Sequence, residues 1–365
     1  MNYSPEIFVS PSLSSHLTQK YPYTGIVLSS GASKGIIQLG MLHRIFQLGN
    51  LSGVSLYVGC SVGSAIALLL CIGYSPLEIF SFACTTDFFS SISQDHMHSS
   101  GTVAKIISTG GVCSLDTMFL PLEHLVEEKL HTIPSLSELY RRTGHTLICC
   151  SYNLSRNRIE YLSHETAPEL NCLDAVKMSC AIPLIFQPYT MNQDIYIDGA
   201  MFDSFPVRYA EQYCLNHHLP CSLLGCNVYS HGSLSLPTES IPDWNDWTLF
   251  RPLINMMGHM YKVMNAPIHY NMSQSIHYSP TDQLSVIDTI SIIIQDQGVG
   301  LLTSSQKRFD FFSMGIQAVP SSGSSSIPIS EENVSESVLS ILTDILTAEQ
   351  PIPETQTRRR KIKME

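Results

Sequence analysis

Two short apolar segments, each followed by a glycine- and serine-bearing turn and then by an apolar helical stretch, constrain this chain more than any other feature. The first is Gly25–Ser29 (GIVLS), with the turn Ser30–Gly35 behind it and a helical pattern from Ile36 to Leu48. Apolar residues recur there at Ile36, Ile37, Leu39, Met41, Leu42, Ile45 and Phe46, and Gly49-Asn50 closes the pattern. The second is Leu56–Val58, followed by a tight turn and the mostly apolar helix Val62–Ile72. Strand, turn, helix, twice in succession, predicts an α/β fold with a largely parallel central sheet, because parallel neighbours need a crossover between them. Further strands are expected at Thr146–Ser151, Arg158–Leu162, Ile195–Ile197, Leu223–Val228 and Ile292–Gln295. Further helices are expected at Leu120–His131, Ala175–Cys180 and Ser304–Gly315.

The composition fits such a core: of 365 residues, 44% are apolar and only 14% charged. A formal net charge of −11 argues against a nucleic-acid partner, which needs a basic face to displace counterions from phosphates. It leaves open a lipid surface, which local apolar or basic patches can engage. The 11 cysteines are scattered, odd in number and never spaced C-x-x-C, as expected of buried thiols in a reducing compartment rather than of disulfides or zinc ligands. No leader pattern stands at the N-terminus, and the longest apolar run, Ala65 to Ile72, is far too short to cross a bilayer. The expectation is a soluble, intracellular, cytoplasmic protein without a transmembrane segment.

Three regions are expected: an irregular leader at 1–20, one α/β domain at 21–319, and a tail at 320–365. Residues 229–290, rich in Met, His, Tyr and Asn and carrying Trp244 and Trp247, read as an insertion or cap. The tail reads as a Ser/Gly linker, an amphipathic helix (Val334, Val338, Ile341, Leu342, Ile345) and a basic run at Arg358–Lys363.

Three elements carry chemistry. Gly59-Cys60-Ser61-Val62-Gly63 is a G-x-S-x-G between a strand and a helix, where a sharp elbow exposes a serine hydroxyl at the carboxyl edge of the sheet. The helix behind it turns its N-terminus to the site, favouring developing negative charge. Ser29-Ser30-Gly31-Ala32-Ser33-Lys34-Gly35 is a second strand-to-helix turn, whose successive N–H groups can hold an anion or an oxyanion. It lacks the spacing of a Walker or a dinucleotide loop, so an oxyanion hole fits it better. Asp198-Gly199-Ala200 sets a carboxylate at the end of the strand Ile195–Ile197, with a glycine behind it for a sharp turn.

Taken together these segments resemble the patatin-like phospholipase family. The family's glycine-rich turn, G-G-G-x-[RK]-G, is similar to Ser30–Gly35; its elbow to Gly59–Gly63; its D-G-[GA] to Asp198–Ala200. Its A-x-x-x-S-x-A-x-P stretch is similar to Ala175–Pro183, Phe205-Pro206-Val207 matches the Pro-Val after the aspartate, and Gly73–Pro76 matches the turn after the nucleophile helix. The resemblance spans about residues 24–230. It implies a three-layer α/β/α fold and a lipid acyl hydrolase of the phospholipase A type needing no metal or organic cofactor. It further implies that Ser61 is the nucleophile, Asp198 its base and the N–H groups of Gly31, Ala32 and Ser33 the oxyanion hole. Lys34, Gly35, Gly59, Gly63 and Gly199 support the motifs. The implied substrate is a phospholipid or other acyl-ester lipid at a membrane surface. Ser30 and Ala32 depart from the family's glycines.

Other readings keep their place. A transacylase would use the same dyad, and a catalytically silent lipid-binding scaffold would keep the fold. A Ser-His-Asp triad would draw its base from His217, His218, His231, His259, His269 or His277. Asp95-His96-Met97-His98 has two histidines but no third metal ligand.

Overall fold

In the computed structural model, residues 5–86, 108–230, 266–267, 270–271, 278–294 and 304–320 are described. The strands at the centre read as nearly unbroken apolar runs because both faces are covered. Strand β2 (Gly25–Leu28), β3 (Leu56–Cys60) and β5 (Thr146–Asn153) are buried at every position. With β10 (Ser222–Ser230) and β11 (Val286–Ile294) they form a parallel block in the order β11-β10-β2-β3-β5. The edges are antiparallel. β1 (Glu6–Val9) pairs with β11, while β6 (Arg158–Leu162) and β9 (Asp194–Asp198) both pair with β5, and β8 (Tyr189–Met191) pairs with β9. The sheet is therefore mixed: the expected parallel arrangement holds at its centre and ends at its edges. β4 (Gly111–Cys113) and β7 (Leu184–Phe186) make a separate parallel pair.

Helices cover both faces. On one, α8 (Val207–Asn216) packs Val207, Ala210 and Tyr213 against Val27, Val58, Ile148 and Leu223. The other layer holds α2 (Gly35–Gln47), α3 (Val62–Cys71), α4 (Pro76–Thr85), α7 (Cys172–Ser179) and α9 (Ser305–Ala318). In this layer α9 lies against α2, with Phe312 and Gly315 packed closely on Gly40. The architecture is three-layer α/β/α.

The structure differs from the sequence expectations in definite places. Residues 1–20 are not an irregular leader throughout. They carry β1 and α1 (Leu13–Thr18), whose Leu13 and Leu17 are buried. The buried Asp288 carboxylate of β11 fixes them: Oδ2 accepts from Tyr23 Oη at 2.6 Å and lies 2.6 Å from His16 Nδ1, and Oδ1 accepts from Ser12 Oγ at 2.5 Å. An aspartate inside a strand breaks the apolar pattern, so β11, expected only from Ile292, begins at Val286, within the stretch read as insertion. Helix α5 (Leu115–Leu130) begins five residues before Leu120, because Pro121 lies inside it rather than at its start. Sequence patterning also passed over α4, α6 (Leu136–Thr143) and α8. Trp244, Trp247, Asp95–His98 and the expected tail helix and basic run lie outside the described residues.

Candidate active site

Strand register brings the candidate residues to one level. Cys60 pairs with Cys150, and the next residue of β5, Ser151, pairs with Asp198. Ser61, one step beyond Cys60, therefore stands level with Asp198 two strands away, at the carboxyl edge of the parallel block. The backbone of Ser61 is strained, at φ 56° and ψ −128°, a conformation that L-residues avoid unless their surroundings impose it. Those surroundings are tight. A Cβ on Gly59 would sit 2.4 Å from the Gly63 carbonyl group, and one on Gly63 would sit 2.6 Å from the carbonyl oxygens of Leu28 and Ser29. Only glycine at both positions lets the elbow fold back on itself and on β2.

Hydrogen bonds hold the elbow in place. Ser61 N–H donates to Ser179 Oγ at 2.9 Å, and Ser179 Oγ donates to Cys150 O at 2.6 Å. Ser64 Oγ donates to Ser61 O at 2.6 Å. Ser179, the serine of the Ala175–Pro183 stretch, thus acts as a bracket between the elbow and β5. Its place in a motif was legible, but this task was not.

Asp198 is 2% exposed. Its Oδ1 accepts from Ala200 N–H at 2.8 Å and from the Cys60 thiol at 3.9 Å, and its own N–H donates to Ala181 O at 2.9 Å. Oδ2 is buried and has no hydrogen-bond partner among the described residues. Burial pushes the carboxyl up to about 6, while the nearby Ser61 hydroxyl, Ala200 N–H and Cys60 thiol pull it back. Ser61 and Asp198 are thus close neighbours whose hydrogen bond is not closed. This is common at resting sites, where such bonds tighten once substrate is bound. A Cβ on Gly199 would lie 2.5 Å from Cys150 O, which keeps this turn hard against β5.

The glycine-rich turn forms a short 3-10 turn, Ala32–Lys34, entering α2. Ala32 takes φ 49°, in the left-handed region, where the family sequence has glycine. Gly31, by contrast, is extended at φ 166°, with only ordinary contacts for a Cβ. Ser30, the other departure, ties this turn to the aspartate segment: its N–H donates to Ser204 O at 2.8 Å and the two hydroxyls lie 2.5 Å apart. Gln38 Nε2 donates to Ser29 O at 2.8 Å from beneath. Lys34 is buried.

A cavity of about 170 Å³ opens at this point. Ala32, Ser33, Gly35 and Ser61 stand in its wall, and Ile66, Leu69, Ile79, Phe82, Phe119 and Leu122 carry it inward. Gly31, Lys34 and Asp198 lie outside the lining. Among the described residues no histidine lines the cavity. His217, a candidate for a triad base, lies instead 3.2 Å from Glu165 at the end of α8. His231, His259, His269 and His277 lie outside the described residues. No group of three metal-ligating side chains occurs among the described residues.

Known proteins resemble this chain in sequence and in fold. The chain is 33% identical over 198 residues to Probable lipid hydrolase 463L of Invertebrate iridescent virus 6, covering 54% of this chain and 66% of that protein. It is 26% identical over 233 residues to Triacylglycerol lipase 4 of Saccharomyces cerevisiae, covering 58% of this chain and 25% of that one. The chain thus spans less than two thirds of the length of these relatives. Human GIVD cytosolic phospholipase A2 aligns in structure over 93% of this chain and 65% of its own, with a TM-score of 0.42 and 10% identity. The family model of the patatin-like phospholipases matches residues 26–211, just over half of the chain. On that match the chain belongs to the patatin-like phospholipase family.

Proposed function

We propose that this protein is a lipid acyl hydrolase of the phospholipase A type, acting through a Ser61–Asp198 dyad. The observation that carries the reading is a buried carboxyl, raised to about 6 and with one unpartnered oxygen, beside a strained serine in the wall of an apolar cavity. At neutral pH that carboxyl is mostly ionised, yet it is a stronger base than an exposed aspartate. Asp198 Oδ2 accepts the Ser61 hydroxyl proton as Oγ attacks the acyl carbonyl. The tetrahedral oxyanion is held by the N–H groups of the Gly31–Ser33 turn and by the positive end of α3. Collapse releases the alcohol, which takes up the proton, and leaves an acyl-enzyme. Water, deprotonated by Asp198, then attacks the acyl-enzyme; collapse expels Ser61 Oγ, which takes the proton back from Asp198, and frees the fatty acid. The acyl chain occupies the apolar cavity.

The lipid is met at a membrane surface. No helix among the described residues is long and apolar enough to cross a membrane. Release of fatty acid from mixed phospholipid vesicles tests the proposal, using wild type, Ser61→Ala and Asp198→Asn. Wild-type activity lost in both variants is expected. Activity that survives Asp198→Asn, or a folded wild type that neither releases fatty acid nor takes a fluorophosphonate label at Ser61, overturns it.

A further inference from the structure

All 11 cysteines are free thiols; nine are buried, and Cys84 and Cys221 are partly exposed. Burial raises the Cys84 thiol to about 11, so it stays protonated near neutrality. Cys221 differs, because it is hydrogen-bonded to a second thiol, that of the buried Cys214.

The backbone holds this pair together. Cys214 lies in the last turn of α8, and the chain reverses just beyond it through His218, left-handed at φ 53°. Leu219 N–H donates to Cys214 O at 2.9 Å, which folds the chain back along the helix end two residues before Cys221. Cys221 O accepts from the N–H of Val286, the first residue of β11, at 2.8 Å, and the next residue, Ser222, opens β10. Cys221 is therefore pinned between the end of α8 and the heads of two strands. Its side chain packs on the core cluster that contains Cys214. Because β10 runs parallel to β2 and β3, this is the amino edge of the sheet, opposite the edge where Ser61 stands. The pair is thus separate from the candidate active site, and its chemistry does not depend on the hydrolase reading.

The shared hydrogen bond favours one thiolate. Donation by the Cys214 thiol lowers Cys221 to about 7 against the effect of burial; the Ser285 hydroxyl helps, and the carboxylates of Glu211 and Asp282 oppose. Cys214, the donor, is raised. A large share of Cys221 is therefore thiolate near neutral pH, and the thiolate is the form that peroxides oxidise. Cys60 and Cys150 provide a contrast. They too are hydrogen-bonded thiols, yet both are fully buried and both are raised by burial.

We infer that Cys221 and Cys214 form a peroxide-responsive dithiol that closes to a reversible disulfide. The partly exposed Cys221 thiolate attacks one peroxide oxygen. An S–O bond forms, the O–O bond breaks, and the leaving oxygen takes up a proton, which makes Cys221 a sulfenic acid. The Cys214 sulfur then attacks the sulfenic sulfur. The S–S bond forms, and hydroxide leaves with the Cys214 proton as water. The two thiols lose two electrons and the peroxide gains them, so hydrogen peroxide yields the disulfide and two waters. A thiol reductant reverses the change.

The test exposes the reduced full chain to stoichiometric hydrogen peroxide, alkylates the remaining thiols in denaturant and maps the cysteines by peptide mass spectrometry. The expected product is a Cys214–Cys221 disulfide, formed before any modification of Cys84 and removed by dithiothreitol. Cys221→Ser should slow the loss of thiols by about tenfold or more. Cys214→Ala should stop the reaction at the sulfenic acid, trapped at Cys221 by dimedone. A first oxidation at Cys84, a disulfide between other cysteines, or thiols that all survive in the wild type overturns the inference. So does a Cys221 that passes to sulfinic acid without pairing. The wild-type map decides the matter even where a variant fails to fold.

Discussion

The Asp198 carboxyl has a thermodynamic consequence separable from catalysis. Its ordinary value of 3.8 is raised to about 6, chiefly by burial, and what opposes burial is hydrogen bonding rather than an ion pair. The folded protein therefore holds this proton more tightly than the unfolded chain does. The stabilisation from the neutral carboxyl is fully present below about 3.8 and is lost as pH rises through about 6. The whole shift corresponds to about 3 kcal/mol, at about 1.4 kcal/mol per unit. Between about pH 5 and about pH 8 the part still to be lost is about 1.4 kcal/mol. Asn at this position removes the titration. Its oxygen can keep the Ala200 N–H bond, and its amide nitrogen can donate to the Ser61 hydroxyl in place of the unpartnered Oδ2. Urea unfolding of wild type and Asp198→Asn across this range isolates the group, since every other titration is common to both. The stability difference should move in favour of Asp198→Asn by about 1.4 kcal/mol from the acid end to the alkaline end. At the same time kcat/KM of wild type should rise through about 6 and level off, because the proposed mechanism uses the ionised carboxylate as base. A stability difference flat with pH, or one moving the other way, would refute the burial argument whatever the activity.

Two further substitutions probe the elbow and the turn. Ala32→Gly relieves a left-handed backbone at φ 49°; the gain of roughly 1–2 kcal/mol is partly offset by the freedom of glycine in the unfolded chain. A net stabilisation of up to about 1 kcal/mol with activity kept is expected, and a lower thermal midpoint would contradict it. Ser179→Ala leaves the buried Ser61 N–H without its acceptor, at a cost of about 1–3 kcal/mol, and frees Ser61, the proposed nucleophile, from its bracket. A fall in kcat larger than any change in KM, measured with the unfolding midpoint, checks this; unchanged kcat would show that the elbow needs no such support.

What was legible in the sequence is what the backbone requires of it. Gly59 and Gly63 are constrained by approaches of 2.4 and 2.6 Å, so the elbow left a pattern that no apolar periodicity could imitate. The parallel block was legible for a similar reason: strands buried on both faces are short unbroken apolar runs between turns. What stayed illegible depends on partners far away in the chain. Asp288 breaks the apolar run of β11 because it anchors Ser12, His16 and Tyr23 more than 260 residues earlier, so one distant contact concealed both the start of a strand and the order in the first 20 residues. Ser30 was read as a lost glycine, yet its hydroxyl meets Ser204, binding the turn to the segment that follows Asp198. The departure from the family pattern thus has a use that depends on a residue 174 positions away. Local motifs therefore marked the candidate segments, while the contacts that hold those segments together come from residues that only the fold brings near.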